Sequence, residues 1–363
     1  MGKTGKKVRV AVIGAGMGTA HVRGFVRRPD KIDVVAAADL DDERMKRIVR
    51  ACQDAGLPSP KLFTDYRKML KLDEVEFVVV ATPNHLHAPM AIDCLRAGKH
   101  VIVEKPPSNT VAGAQKILDA VRKTGGRCMI GVTNRFRAEM RRLKAIIERG
   151  DLGDVYYAKT GWTRRQGIPE GSAANWFVDK ERAGGGPLID LGVHVLDLTW
   201  WLMGCPKPVA VTGATYDPFI REMKNAKANV EDFAIGFIRF ANGASLFLET
   251  SWAGHTDRER GYSTFYGTKA GVDADLLPVA NAKVFNIHTT RDGDWFDTTM
   301  PQYDQVDWQP VLANQLLYFA DCIREGKPNM ADAQDGLTVM RMLCGLYESA
   351  EKGKEVRLDK TKG

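Results

Sequence analysis

No stretch of this chain stays apolar for the roughly 20 residues that a membrane-crossing helix needs. Its start lacks the charged, apolar and small-residue order of a secretory signal. These absences lead to the expectation of a soluble, cytoplasmic protein. The six cysteines, Cys52, Cys94, Cys128, Cys205, Cys322 and Cys344, are scattered, form no CxxC pair and stand mostly among apolar neighbours. They read as buried thiols, and a disulfide framework or zinc ribbon is not expected. There is no HExxH pattern, no internal repeat and no low-complexity linker. The formal charge is +7, but three lysines fall in the first seven residues and the other basic residues alternate with acids along stretches such as 137–149. Without an aromatic-interleaved basic stripe, no nucleic-acid partner is expected, and a basic balance suits small anionic ligands equally well.

What is present is ordinary globular material: 363 residues, 44% hydrophobic and 27% charged, enough for two domains. Up to about residue 133, apolar runs at Val8–Ile13, Val34–Ala38, Phe77–Ala81, His100–Val103 and Cys128–Val132 alternate with helical patterns near 18–28, 42–55, 86–97 and 110–124. That alternation predicts a doubly wound parallel sheet. After Asp151 the texture changes to longer alternating segments, Val209–Tyr216, Asp232–Phe240, Ala244–Trp252 and Tyr262–Gly267, with a turn signal at Asn242-Gly243. An α+β domain with a large, mostly antiparallel sheet is the expectation there. Helical patterns at 188–202, 310–325 and 332–351 accompany it. The division expected is a Rossmann-type domain over 1–133, a substrate-binding and oligomerisation domain over 134–330, and a C-terminal helix and tail over 331–363 packing back near the domain junction.

Gly14-Ala15-Gly16-Met17-Gly18 directly follows the first strand and precedes a helix, where bare backbone can approach a pyrophosphate at a helix N-terminus. Its third glycine comes one residue earlier than in the usual GxGxxG spacing. The next strand ends in Asp39, 23 residues beyond Gly16, where a carboxylate can accept from the ribose hydroxyls of an adenosine. Asp39 could instead cap the following helix, although Asp41 or Asp42 would serve equally well. Asp39 and Asp41 together disfavour a 2′-phosphate, so NAD is expected over NADP, while Arg44 could still reach such a phosphate.

The third and fourth strands run out into Thr82-Pro83-Asn84-His85-Leu86-His87 and Glu104-Lys105-Pro106-Pro107, at the strand ends where open α/β sheets bind ligands. Between them lies Ala97-Gly98-Lys99-His100-Val101, and further on come Asn134-Arg135-Phe136, then Gly184-Gly185-Gly186 leading to Asp190 and His194, then Glu249-Thr250-Ser251-Trp252 and Gly267-Thr268-Lys269. In this order the motifs resemble the glucose-fructose oxidoreductase/inositol dehydrogenase/MocA family, over nearly the whole chain. The resemblance implies an NAD(P)-dependent sugar or polyol dehydrogenase or reductase with a Lys105, Asp190 and His194 catalytic set. Its cofactor contacts would come from Gly14, Gly16, Met17, Gly18, Asp39, Thr82, Pro83, Asn84, His87, Glu104 and Lys105. His21 stands where the family tends to place a histidine.

From chemistry alone, Lys105 is a cation held at a strand end between Glu104 and two prolines, and Asp190, His194 and Asp197 share a helical face at i, i+4 and i+7. A local cap at Asp190 and a satisfied core histidine at 194 are the plain alternatives, and a metal site is not expected for want of a third ligand at suitable spacing. Oxidation of a secondary alcohol needs a proton acceptor, which His194 suits, and a group that steadies charge on oxygen, which Lys105 suits. Arg135, Trp162, Arg164, Arg165, Asn175, Trp176 and His194 are candidates for the substrate side. A redox-neutral, NAD-dependent glycoside-cleaving enzyme and a non-catalytic dinucleotide-binding regulator remain as alternatives. Large apolar side chains on both parities of the second sheet, at Phe233, Ile235, Phe237, Ile238 and Phe240 and at Leu246 to Leu248, lead to the expectation of a homodimer or homotetramer through that sheet.

Overall fold

In the computed structural model, residues 7–169, 176–223, 228–277, 283–301 and 308–359 are described. The chain divides into two compact units, one of residues 1–136 with 307–337, the other of 137–306 with 338–363. No helix among the described residues is long and apolar enough to cross a membrane.

The first unit alternates strands and helices in the order β1 (Val8–Ile13), α1 (Met17–Phe25), β2 (Ile32–Ala38), α2 (Asp42–Asp54), β3 (Lys61–Phe63), α3 (Tyr66–Met69), β4 (Phe77–Val80), α4 (Asn84–Arg96), β5 (His100–Glu104), α5 (Val111–Thr124) and β6 (Cys128–Gly131). All strand pairs are parallel, in the order β3-β2-β1-β4-β5-β6. Every residue of β4 is buried and only His100 of β5 is partly open, as a parallel sheet covered on both faces requires. Chain order reverses between β1 and β4, so the strand ends beside that break form the ligand-binding edge. Side chains punctuate the helices: Asp41 accepts from Arg44 N at the start of α2, and Thr110 accepts from Gly113 N at the start of α5. β3 and α3 carry too few residues to show a period, and the sequence reading did not anticipate them.

The second unit begins with α6 (Ala138–Glu148), β7 (Val155–Thr163) and α7 (Lys180–Ala183). A π turn over Leu188–Gly192 then runs straight into α8 (Val193–Leu202). After these come β8 (Pro208–Tyr216), β9 (Phe233–Phe240), β10 (Ser245–Ser251), β11 (Arg260–Gly267), β12 (Ala270–Asp275), β13 (Lys283–Arg291) and β14 (Asp294–Pro301). Helix α9 (Trp308–Arg324) belongs to the first unit, where it packs on α1 and sets Phe319 edge-on to Phe77 at 5.9 Å. Helix α10 (Ala333–Lys352) carries residues of both units, and β15 (Val356–Arg357) closes the second.

The nine strands of the second unit form one sheet, β14-β13-β12-β11-β7-β10-β9-β8-β15, antiparallel throughout except where β10 runs parallel to β7. Along β9 and β10 the residues Ala234, Gly236, Ile238, Phe240, Leu246 and Leu248 are buried. Phe233, Ile235, Phe237 and Phe247, on the other parity, are only half-buried. The large apolar residues of this sheet are thus split between a core face and an open one.

Candidate active site

The glycine loop of the first unit is built from three different constraints. Gly14 has φ +94°, and a Cβ there would stand 2.5 Å from the Ala81 carbonyl oxygen. Only glycine takes this conformation without strain. Gly18 admits no side chain because a Cβ would overlap Val12, which lets α1 lie close on β1. Gly16 is different: a Cβ there would meet nothing within 4 Å, and Gly16 and Met17 are exposed at the start of α1. The three glycines therefore supply the tight turn, the helix–strand approach and the open backbone that a pyrophosphate needs, despite the shortened spacing. Asp39, at the end of β2, accepts from Ala15 N at 2.5 Å and from Asp41 N at 2.9 Å, which locks its carboxylate to the loop. Helix α2 is capped by Asp41, which also pairs with Arg44 at 3.1 Å.

Beneath Lys105 lies a buried polar network. Glu104 accepts from His21 Nε2 at 2.6 Å and from Lys105 N at 3.2 Å. Burial alone would raise the Glu104 carboxyl, but the hydrogen bond and charge of His21, with Lys105 and His87 nearby, hold it below the ordinary carboxylate range. The ring nitrogens of His87 face the carbonyl oxygens of Pro106 at 2.7 Å and Thr82 at 2.6 Å, tying the ends of β4 and β5 together. Burial pushes the His87 imidazole down, against the pull of those carbonyls. The Lys105-Pro106 peptide is cis.

In the second unit, Gly185 and Gly186 have no room for a Cβ, since Tyr347 and Glu231 occupy those positions. The Glu231 carboxylate accepts from Gly186 N at 2.9 Å, from Leu188 N at 3.0 Å and from the Tyr347 hydroxyl at 2.7 Å. Burial drives the Glu231 carboxyl up and, with the charge of Glu231, drives the Tyr347 hydroxyl well above its usual value. This clamp fixes the start of the π turn. Along the turn and α8 the neighbours Leu188, Ile189, Leu191, Val193 and Val195 are buried, whereas Asp190 and His194 are half-exposed. Asp190 Oδ2 accepts from Trp252 Nε1 at 3.0 Å, and the His194 ring lies 5.8 Å from that of Trp162. The Trp162 indole donates to Glu259 at 2.7 Å, and Arg164 Nε donates to the same oxygen at 2.9 Å.

Residues 8–132 match the oxidoreductase family with an NAD-binding Rossmann fold, and residues 144–358 match that family's C-terminal α/β domain. This chain belongs to the Gfo/Idh/MocA oxidoreductase family. It is thus an oxidoreductase whose first unit is an NAD-binding Rossmann domain. Among curated relatives of this Gfo/Idh/MocA chain, the D-glucoside 3-dehydrogenase of Escherichia coli (strain K12) is 32% identical over 98% of this chain and 99% of its own. The scyllo-inositol 2-dehydrogenase (NAD(+)) of Bacillus subtilis (strain 168) is 26% identical over 97% of each chain. A levoglucosan dehydrogenase solved in complex with NADH and levoglucosan superposes with a TM-score of 0.86, covering 98% of this chain and 100% of that one at 23% identity, a likeness of fold.

Within this family framework the expected residues fall as follows. Gly14, Gly16, Met17, Gly18 and Asp39 gather at the ends of β1 and β2, and Thr82, Pro83, Asn84, Glu104 and Lys105 at the ends of β4 and β5. In the second unit His194 and Arg164 both lie against Trp162, while Asp190 bonds to Trp252, against whose cluster Trp162 packs. Arg135 is a correction: expected at the substrate, it is wholly buried in the first unit, where its guanidinium binds the Met330 carbonyl and pairs with Asp335 at 2.8 Å. Trp176 stacks on Phe177 at 3.9 Å, and Asn175 lies outside the described residues. Glu231, Tyr347 and Glu259 were not singled out from the sequence. Trp252 stands out in the sequence only as the end of Glu249-Thr250-Ser251-Trp252. The register of β11 against β7, with Arg260 opposite Thr163, is the signal that places Glu259 across from Arg164.

Proposed function

We propose that this protein oxidises a secondary hydroxyl of a neutral or polar sugar, polyol or glycoside, with Lys105, Asp190 and His194 as the acting side chains. The observation that carries this reading is that Asp190 and His194 are the half-exposed polar residues of one otherwise apolar segment, each against a tryptophan. The partly open Trp162 indole suits the C–H face of a sugar ring, while the buried Trp252 holds Asp190. The glucoside and inositol dehydrogenases among its relatives point to the same substrate class.

NAD would be held by the open backbone at Gly16 and Met17, by Gly14 and Gly18 as its frame, by Asp39 at the adenosine ribose, and by Thr82, Pro83, Asn84 and Glu104 along the strand ends, with His87 fixing that edge from behind. When bound, it supplies the acceptor for the hydride lost from the carbinol carbon. His194 accepts the hydroxyl proton as the general base. Asp190, oriented by Trp252, holds that imidazole in place, and Lys105 hydrogen-bonds the oxygen on which charge develops. Trp162, Arg164 and Trp176 take the remaining hydroxyls and ring faces. NAD is favoured over NADP because Asp39 is locked at the ribose position and Arg44 is engaged by Asp41.

The half-buried face carrying Phe233, Ile235, Phe237 and Phe247 would pair with a second copy in a symmetric dimer or tetramer. A cytoplasmic setting goes with this reading, supported by six free cysteines. The test is a panel of sugars, inositols and glycosides followed by absorbance of reduced nicotinamide. Net NADH formation with at least one of them is expected. Aglycone release without NADH would replace oxidation by redox-neutral cleavage, and no change with any compound would refute the reading.

A further inference from the structure

We propose that Glu259 sets the charge class of the substrate, making the site take uncharged hydroxylated rings and reject rings bearing a carboxylate or phosphate; this rests on the sugar-oxidising reading above. An arginine in a sugar site ordinarily recruits an anion, because its planar fork matches carboxylate and phosphate oxygens. Arg164 is not available in that way. Its Nε donates to Glu259 Oε1 at 2.9 Å, and its guanidinium carbon sits 5.5 Å from the Trp162 ring centroid. The same Glu259 oxygen accepts from the Trp162 indole at 2.7 Å.

One carboxylate thus does two things. It cancels the positive charge of Arg164 at the position where a substrate anion would otherwise bind. It also holds the edge of Trp162, so that the indole's face stays beside His194 at 5.8 Å. The placement follows from strand register: β11 runs antiparallel to β7 with Arg260 opposite Thr163 and Gly261 opposite Trp162, so Glu259 continues the ladder opposite Arg164. Of the two arginines that flank Glu259, Arg260 donates to Asp257 at 2.8 Å and Arg258 has Asp257 as its charge neighbour. A second carboxylate, Asp190, accepts from Trp252, against whose cluster Trp162 packs. An incoming anion would therefore meet the Glu259 carboxylate at the very guanidinium that it would otherwise recruit, which is discrimination by repulsion.

The experiment compares methyl D-glucoside with methyl D-glucosiduronate, which differ by the carboxylate at one carbon, on the full-length protein with NAD. The readout is the ratio of their kcat/KM values. Wild type should favour the glucoside by at least about tenfold, and Glu259→Gln should shrink that ratio by about tenfold, chiefly through a lower KM for the uronate. The double variant Glu259→Gln with Arg164→Gln should lose the gained uronate activity, a result that mere loosening of the loop does not give. A preference for the uronate in wild type, or an unchanged ratio in Glu259→Gln, would overturn the proposal. Binding of the same two compounds, followed by quenching of indole fluorescence, gives the ratio even if neither is turned over. A shifted binding ratio without NADH formation from any sugar would sink the proposed oxidation and leave the charge selection standing.

Discussion

The first unit holds its functional groups with backbone, the second with side chains. At the glycine loop the decisive features are a left-handed Gly14, a Gly18 pressed on Val12 and a cluster of strand ends. Side chains there bond mostly to the main chain, as Asp39 does to Ala15 N, and the buried His21–Glu104 pair is the side-chain exception. In the second unit the segment carrying Asp190 and His194 is fixed by Glu231 and Tyr347, and its surroundings by Trp252, Trp162 and Glu259, residues drawn from different strands and helices. A site of the first kind fails when one glycine changes. A site of the second kind degrades step by step, one partner at a time.

That contrast is open to test, beginning with the largest effect. If Lys105 acts on the reacting oxygen as proposed, Lys105→Ala should lower turnover by about 1,000-fold while dinucleotide affinity, measured by calorimetry, stays within about threefold. Turnover like that of wild type would remove Lys105 from the mechanism. Next comes His21→Leu, which leaves the buried Glu104 charge without its partner and should cost about 3 kcal/mol of stability at neutral pH. The sign with pH is fixed by the lowered Glu104 carboxyl: its stabilising contribution is present above the carboxylate range and is lost as pH falls through it. Denaturant melts of wild type and variant should therefore converge on acidification, and a constant gap would show that Glu104 is not the cause.

Asp39→Ala should weaken NAD by about tenfold, or about 1.4 kcal/mol, and erase the preference over NADP. Calorimetric titration in which NADP already binds wild type more tightly would break the ribose assignment. The smallest effect is expected from Trp252→Phe, which removes the indole donor to Asp190 and should cost about 1 kcal/mol, a roughly fivefold fall in kcat. The acid limb of its pH–rate profile should move as well. An unaltered profile would mean that Asp190 is held by other groups.

The same contrast explains what could be read from the sequence. Both sheets, the parallel one closely and the antiparallel one in its central strands, follow from apolar periodicity, because burial on two faces or one leaves a plain mark. Gly14 to Gly18, Asp39 and the Glu104-Lys105-Pro106 strand end were visible because unusual backbone demands particular residue types. The π turn was not: Asp190 and His194 are four apart in any helix, and no residue type announces the wider turn. Glu231 and Glu259 look like surface acids in one dimension. Their roles exist only once β9 meets the Gly184–Gly186 loop and β11 meets β7. Arg135 misled for the same reason, since its partner Asp335 is supplied by a helix near the end of the chain.

The return of α9 to the first unit has a consequence for biosynthesis. Helix α1 packs on α9, yet the whole nine-stranded sheet except its last short strand is encoded between them. On the ribosome, the side of α1 that meets α9 therefore stays uncovered while the second unit is being made, and Gly24 lacks the Gln309 backbone and Leu312 that lie against it in the finished fold. The parallel sheet emerges first and is completed late, so a nascent Rossmann half is the species that needs shielding from aggregation during translation.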